Sequence, residues 1–295
     1  MKIFLENVNL NNSNGPNSFA NKMIPHILSQ GHNITNLGDA DASLCFIESY
    51  NGKLDIPRVQ RLDGIYYNIR FDFTKQNENI LRTYKQSNGI IYQSEYGKNL
   101  IENFFGEHEN YKVIQNGADL ETIKKTPPLN KQTDGDIWSC AASWRPHKRL
   151  SENIRYFLEH KKENDILIVA GDTPKIVEDK NIAYVGNLTQ TQLYSLYKAS
   201  KYFIHLGWLD CCPNVVVDAL ACGAQIICTT SGGTKEVAGE SATIIEEEEW
   251  DFKPIDLYDP PKLDFTKTSN RVYTCDYDMK SVTLKYLSYL EDFLQ

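Results

Sequence analysis

No stretch of this chain approaches the roughly 18 consecutive apolar residues that a membrane-crossing helix needs, and its start, Met1-Lys2-Ile3-Phe4-Leu5-Glu6, turns polar too soon for a signal peptide. Both absences lead us to expect no transmembrane segment and a cytoplasmic location. Cysteine is too irregular for a disulfide framework. The seven residues are odd in number and scattered, with Cys211 and Cys212 adjacent, which fits reduced thiols. No metal-ligand spacing occurs. Basic charge is scarce too, and a net charge of -8 makes nucleic acid a poor partner, although a local basic cluster can still take a small phosphorylated ligand. The first apolar run lacks the Gly-x-Gly-x-x-Gly loop that a nicotinamide-dependent oxidoreductase would carry.

What is present is an ordinary core-forming composition, 41% hydrophobic over 295 residues, enough for two domains. Short apolar runs alternate with helical stretches, which predicts an α/β layered architecture. In the first half, strands are expected at residues 2–8, 43–47, 58–62, 90–92 and 111–114. Helices are expected from Gly15-Pro16 to near Gly31, with a kink at Pro25, and at 77–86 and 95–105. Residues 115–119, Gln-Asn-Gly-Ala-Asp, read as a turn, and the lysines, prolines and polar residues of 124–135 as an interdomain boundary.

In the second half, strands are expected at 136–142, 166–170, 182–185, 202–206 and 225–228. Gly171-Asp172-Thr173-Pro174 reads as a turn, and Thr189 with Gln192 as a capping box opening a helix. Gly232-Gly233 is read equally well as a turn or as a close approach to a ligand. The acidic run 246–249 reads as solvated surface, the proline-rich stretch to about 276 as a long loop, and 277–294 as an amphipathic helix carrying Val282, Leu284, Leu287, Leu290 and Phe293.

The most informative stretch is Asp210-Cys-Cys-Pro-Asn-Val-Val-Val-Asp218-Ala-Leu-Ala-Cys-Gly223. Pro213 suits a first helical position and Gly223 an exit in the left-handed conformation, so a helix is expected over about 213–222. Its N-terminal amides and dipole accept phosphate. Asp210 lies just outside that end and Asp218 about one and a half turns inside it. Carboxylates repel an anion but accept hydrogen bonds from neighbouring sugar hydroxyls, so a phosphate attached to sugars meets both demands. Trp144-Arg145-Pro146-His147-Lys148-Arg149, the one dense basic cluster, follows a strand and precedes a helix, which places it at the carboxyl edge of a parallel sheet.

Asn116-Gly117-Ala118-Asp119, the 145–149 cluster, Val185-Gly186-Asn187-Leu188 and the 210–223 stretch together resemble the retaining glycosyltransferases of family 4 in order and spacing. The resemblance implies the GT-B fold, two Rossmann-like domains facing each other across a cleft, with a C-terminal helix crossing back to the first. The expected division is 1–128 for a short acceptor-side domain, 129–276 for a nucleotide-sugar-binding domain and 277–295 for the returning helix. It further implies transfer of a sugar from a nucleotide-diphosphate donor to a glycan or other hydroxyl acceptor, with retention, and with neither metal nor cofactor.

The family carries two glutamates with seven residues between them, where this chain has Asp210 and Asp218. By resemblance Asp210 would hold hydroxyls of the transferred sugar and Asp218 those of the ribose. Backbone amides around Cys212, Asn214 and Val215 would face the diphosphate, and Lys148 with Arg145 would neutralise it. Asn187 and Leu188 would line the donor site, and Gly15 falls where the family has a glycine loop. The family's His-Asp pair is represented by Arg61-Leu62-Asp63-Gly64, leaving Asp63 to assist the acceptor hydroxyl, to position the sugar or simply to form a turn before Gly64. The alternative reading is a nucleotide-sugar-binding protein with weak or no turnover.

Overall fold

A computed structural model describes every residue except Ser13, Gln132, Pro174, Lys175 and Gln295, so the expected boundary position Gln132, the turn position Pro174 and the last residue of the returning helix, Gln295, lie outside the described residues. The chain divides into two units, the first formed by Met1–Ala118, Phe252–Ile255 and Asp276–Gln295, the second by Asp119–Asp251 and Asp256–Cys275.

The first unit runs β1 (Lys2–Glu6), α1 (Gly15–Ser29), β2 (Asn33–Ile34), β3 (Ala42–Phe46), β4 (Arg58–Leu62), α2 (Phe73–Gln86), β5 (Gly89–Tyr92), α3 (Glu95–Phe105) and β6 (Tyr111–Val113). All six strands are parallel, in the order β2-β1-β3-β4-β5-β6. Central strands of such a sheet are covered on both faces, and β4 meets that condition with two arginines, Arg58 at 1% exposure and Arg61 at 0%. Each is matched locally. Arg58 Nε donates to Glu6 of β1 over 2.7 Å, and Arg61 reaches Asp63 and, over 2.9 Å, Asn116. Asn14 caps α1, which runs on through Pro25 as one helix because that residue stands on its exposed face, where the missing amide is cheapest. The helix α2 begins a turn earlier than its apolar spacing predicts, at the Asp72 cap.

The second unit contains α4 (Leu120–Lys125), β7 (Ile137–Ala141), α5 (Leu150–His160), β8 (Ile166–Ala170), β9 (Ile182–Gly186), α6 (Gln190–Ala199), β10 (Tyr202–His205), α7 (Asn214–Ala221), β11 (Gln225–Thr229), β12 (Thr243–Ile245) and β13 (Thr268–Ser269). The sheet order is β13-β12-β11-β10-β7-β8-β9, parallel except for the β12–β13 pair. Helix α4 belongs here because Lys198 of α6 donates to the carbonyls of Ile123 and Thr126 at its C-terminal end, at 3.0 and 2.6 Å. The division therefore falls after Ala118, ahead of residues 124–135.

One surface expectation is corrected, while the long loop expected to about 276 is seen, with one short strand inside it. Glu247, in the acidic run, is 5% exposed and pairs with Arg149. The stretch to 276 supplies β13 and puts Leu263 into the core beside Trp138 and Phe157.

The last helix, α8 (Met279–Glu291), returns to the first unit and packs on α1. It buries Val282, Tyr286, Leu287 and Leu290 in one core with Phe19 and Met23, while Leu284 faces outward at 44% exposure. Two layered α/β units, one on a parallel and one on a mostly parallel sheet, with the terminal helix returned to the first, are the elements expected of the GT-B fold.

Candidate functional site

In the second unit the chain passes from β7 outward to β8 and β9, then reverses to lay β10, β11 and β12 on the other side of β7. Open parallel sheets bind ligands beyond the carboxyl ends of the two strands where the order reverses. Those strands are β7 and β10. The loop after β7 carries Lys148 and the loop after β10 carries Asp210, so the sequence order alone brings the basic cluster and the acidic stretch to one place.

A 3-10 turn, Pro146–Lys148, follows β7, and the His147 carbonyl accepts from the Trp208 amide over 2.7 Å, tying the two loops by their backbones. Lys148 Nζ donates to Asp210 Oδ2. His205, the last residue of β10 and 3% exposed, also reaches Oδ2, its Nε2 at 3.0 Å. The other oxygen, Oδ1, takes no hydrogen bond from any described residue. Burial would raise the Asp210 pKa, but Lys148 and His205 outweigh it and hold the carboxyl far below its usual range. Burial also lowers the His205 pKa, against the pull of Asp210, which favours a neutral ring donating from Nε2.

The Asp210 backbone is set by two unusual neighbours. Leu209 is left-handed, φ 58°, and buried. Gly232, φ 72°, lies so close that an added Cβ would sit 2.5 Å from the Asp210 carbonyl oxygen, which also accepts from Gly233 N at 2.8 Å. The glycine pair is thus a brace for the acidic loop.

Helix α7 starts at Asn214, one residue later than expected, because Pro213 takes the capping position at ψ 120°. Gly223 leaves the helix at φ 93°, as its sequence position predicts. Cys211 and Cys212 are buried in the approach to the helix, and Asn214 and Val215 supply its first amides. Those first amides have no intrahelical acceptor. Asp218, on α7, is 9% exposed, and its charge acts with burial to raise the pKa values of Tyr194 and Tyr197 on α6. Burial and Asp218 also push the Cys222 thiol up to about 12.

The other basic residues separate by role. Arg145 is exposed at the start of the turn. Arg149 is 2% exposed and committed to Glu247, at 2.6 Å, and to the Pro261 carbonyl, at 2.9 Å. Asn187, just past β9, donates to Asp172 over 2.6 Å, and Leu188 is half-buried beside it.

Gly15 and Asp63 lie in the first unit. Gly15 opens α1 behind the Asn14 cap, where Asn14 Oδ1 accepts from Asn17 N at 3.1 Å. Asp63 follows β4 and accepts from Arg61 and Gln93, while Asn116 Nδ2 donates to Gln93 Oε1 over 3.0 Å. Burial raises the Asp63 pKa, only partly offset by Arg61. The sequence reading did not single out His205 or the braces Leu209 and Gly232. An isolated histidine closing an apolar strand is the one signal that could have flagged the first.

Residues 137–253 match the family model described as glycosyl transferases group 1. No curated protein matches the chain. Among solved structures, the sucrose-phosphate synthase of Thermosynechococcus elongatus is similar with a TM-score of 0.64 at 11% identity, covering 84% of this chain and 86% of its own. WaaG, a glycosyltransferase involved in lipopolysaccharide biosynthesis, gives 0.63 at 12% identity, covering 99% of this chain and 90% of its own. The Anabaena protein HepE in complex with UDP-glucose gives 0.60 at 15%, covering 99% and 90%. Residues 137–253 accordingly match the glycosyl transferases group 1 domain, within a chain whose fold is that of GT-B structures.

Proposed function

We propose that this chain transfers a sugar from a nucleoside-diphosphate donor to a hydroxyl of a glycan or similar acceptor, with retention, and with no metal or cofactor. The observation that carries the reading is the meeting of Lys148 and Asp210 at the strand reversal, in front of the α7 N-terminus. A departing diphosphate develops negative charge, and a lysine with fixed amide dipoles stabilises it as the bond breaks. Lys148 takes that role, with Arg145 free to swing in from solvent. The amides around Cys212, Asn214 and Val215 hold the same group. Asp210 Oδ1 accepts from a hydroxyl of the transferred sugar and Asp218 from the ribose, while Asn187 and Leu188 border the donor. Gly15 and Asp63 serve the acceptor side, and Asp63, with its raised pKa, suits a hydrogen bond to an acceptor hydroxyl.

HepE, whose structures hold UDP-glucose or UDP and glucose, makes a UDP-linked sugar the first donor to try. A cytoplasmic location supports access to such donors. It fits the absence of any helix long and apolar enough to cross a membrane and of any disulfide, both among the described residues. Thermal shift across a panel of nucleotide sugars identifies the donor, since a ligand that binds only the folded state raises its stability. Lys148→Ala and Asp218→Ala should then weaken it at least tenfold. Unchanged affinity in both variants would reject the site, and donor binding without release of nucleoside diphosphate over an acceptor panel would favour a binding protein instead.

A further inference from the structure

Asp210 has two partners on one oxygen, and the proposed reaction removes one of them. When a diphosphate arrives, Lys148 turns to it, and the mostly buried carboxylate loses its countercharge while it must keep Oδ1 toward the sugar. His205 remains. Its ring is anchored in the sheet as the last residue of β10, five residues before Asp210, and Nε2 lies 3.0 Å from Oδ2. The room for this contact is specific. An added Cβ on Gly207 would sit 2.9 Å from His205 Nε2 and 3.6 Å from Asp210 Oδ2, so any side chain at that position would push the ring from its acceptor.

We infer that His205 is a positioning residue for sugar transfer, holding Asp210 Oδ2 from behind so that Oδ1 stays aimed at the donor sugar while Lys148 serves the diphosphate. The inference rests on the transferase reading of the site. His205 touches neither reacting atoms nor diphosphate and acts only through Asp210. A neutral Nε2–H suits the task. It donates one directed bond to the carboxylate and brings no second cation to compete with Lys148 for the departing group. The geometry also explains why a histidine occupies the end of an otherwise apolar strand, Tyr202-Phe203-Ile204, where its ring would pack without any polar duty.

The experiment compares His205→Leu, His205→Gln and Gly207→Ala in the full-length chain. It measures transfer or donor hydrolysis with the donor found by thermal shift, and separately titrates the sugar-free nucleoside diphosphate. Glutamine places an amide N–H near the Nε2 position, whereas leucine retains bulk and no donor. We expect His205→Leu and Gly207→Ala to lose ten- to a hundredfold in kcat/KM and His205→Gln to stay within about threefold. All three should bind the nucleoside diphosphate as the unaltered chain does, a readout that a merely structural histidine would not separate from turnover. Equal loss in the leucine and glutamine variants overturns the inference, as does a parallel loss of diphosphate affinity. Failure of the unaltered chain to bind any nucleotide sugar or diphosphate would instead overturn the transferase reading, and the inference with it.

Discussion

Lys148 and Asp210 form an ion pair in which each side chain is less than one-fifth exposed, so on the proposed transferase reading a diphosphate that needs Lys148 competes with a carboxylate already on it. The two residues should therefore respond oppositely when neutralised. Lys148→Ala removes the cation and leaves Asp210 uncompensated, and nucleoside-diphosphate affinity should fall ten- to a hundredfold. Asp210→Asn removes the competitor. Its diphosphate affinity should equal or exceed that of the unaltered chain, while transfer drops by about a hundredfold or more as the sugar loses its acceptor. Calorimetric titration of both variants decides the matter, and equal weakening would show that the pair is a strut and not a latch.

Gly232 supports the same loop from behind. Gly232→Ala imposes a left-handed backbone on a residue with a Cβ, at about 1 to 2 kcal/mol, and drives that Cβ to 2.5 Å from the Asp210 carbonyl oxygen. Backbone at such a distance must shift. The variant should melt several degrees lower and lose donor binding together with stability. Gly233→Ala, next to it at φ -95°, should cost far less. Near-identical melting temperatures for all three proteins would contradict the brace.

The degree to which this site was legible depended on how far apart its parts lie in sequence. The α7 helix was readable because Pro213 and Gly223 act on their own neighbours, and the Thr189–Gln192 capping box because both partners lie within one turn. The Lys148 loop was placed correctly at the carboxyl edge by the strand-loop-helix beat alone. His205 was not readable. Its partner is only five residues on, but the contact exists because Leu209 turns left-handed and Gly207 leaves space, conformations that residue type does not announce. Glu247 misled for a different reason. Four consecutive acids look solvated, and only the folding of a distant arginine beneath them turns one inward. The strands β12 and β13 are three and two residues long, too short to show any period.

That buried pair should be structural. Arg149 and Glu247 are 1% and 5% exposed, and Arg149 also holds the Pro261 carbonyl. Glu247→Gln leaves a buried guanidinium without its counterion and should cost about 3 kcal/mol in urea unfolding. The double variant Arg149→Met with Glu247→Gln should recover part of that loss, since no unpaired charge remains. Neither change should alter donor affinity beyond what stability accounts for, in contrast to Lys148 one residue away. A specific loss of donor binding in the folded Glu247→Gln protein would move this pair into the site.

His147 makes the stability of this region depend on pH. Burial lowers its pKa from 6.5 to about 4, with the neighbouring Lys148 and Arg145 acting in the same direction and Asp210 against them, and its ring lies parallel to that of Tyr258 at 6.3 Å. The unfolded chain gains a proton on this residue as pH falls through 6.5, whereas the folded chain refuses it until about 4. Stability is therefore fully present above 6.5, declines across the interval, and levels off once the folded form is protonated too. His147→Phe keeps a ring against Tyr258 and a backbone carbonyl for Trp208 but has nothing to titrate. Urea unfolding of both proteins at pH 7.5 and pH 4.5 isolates this residue, because every other titrating group is common to the two. The unaltered chain should lose more stability than the variant on acidification. A difference between them that stays constant with pH would mean that His147 is as accessible to protons in the folded state as in the unfolded one.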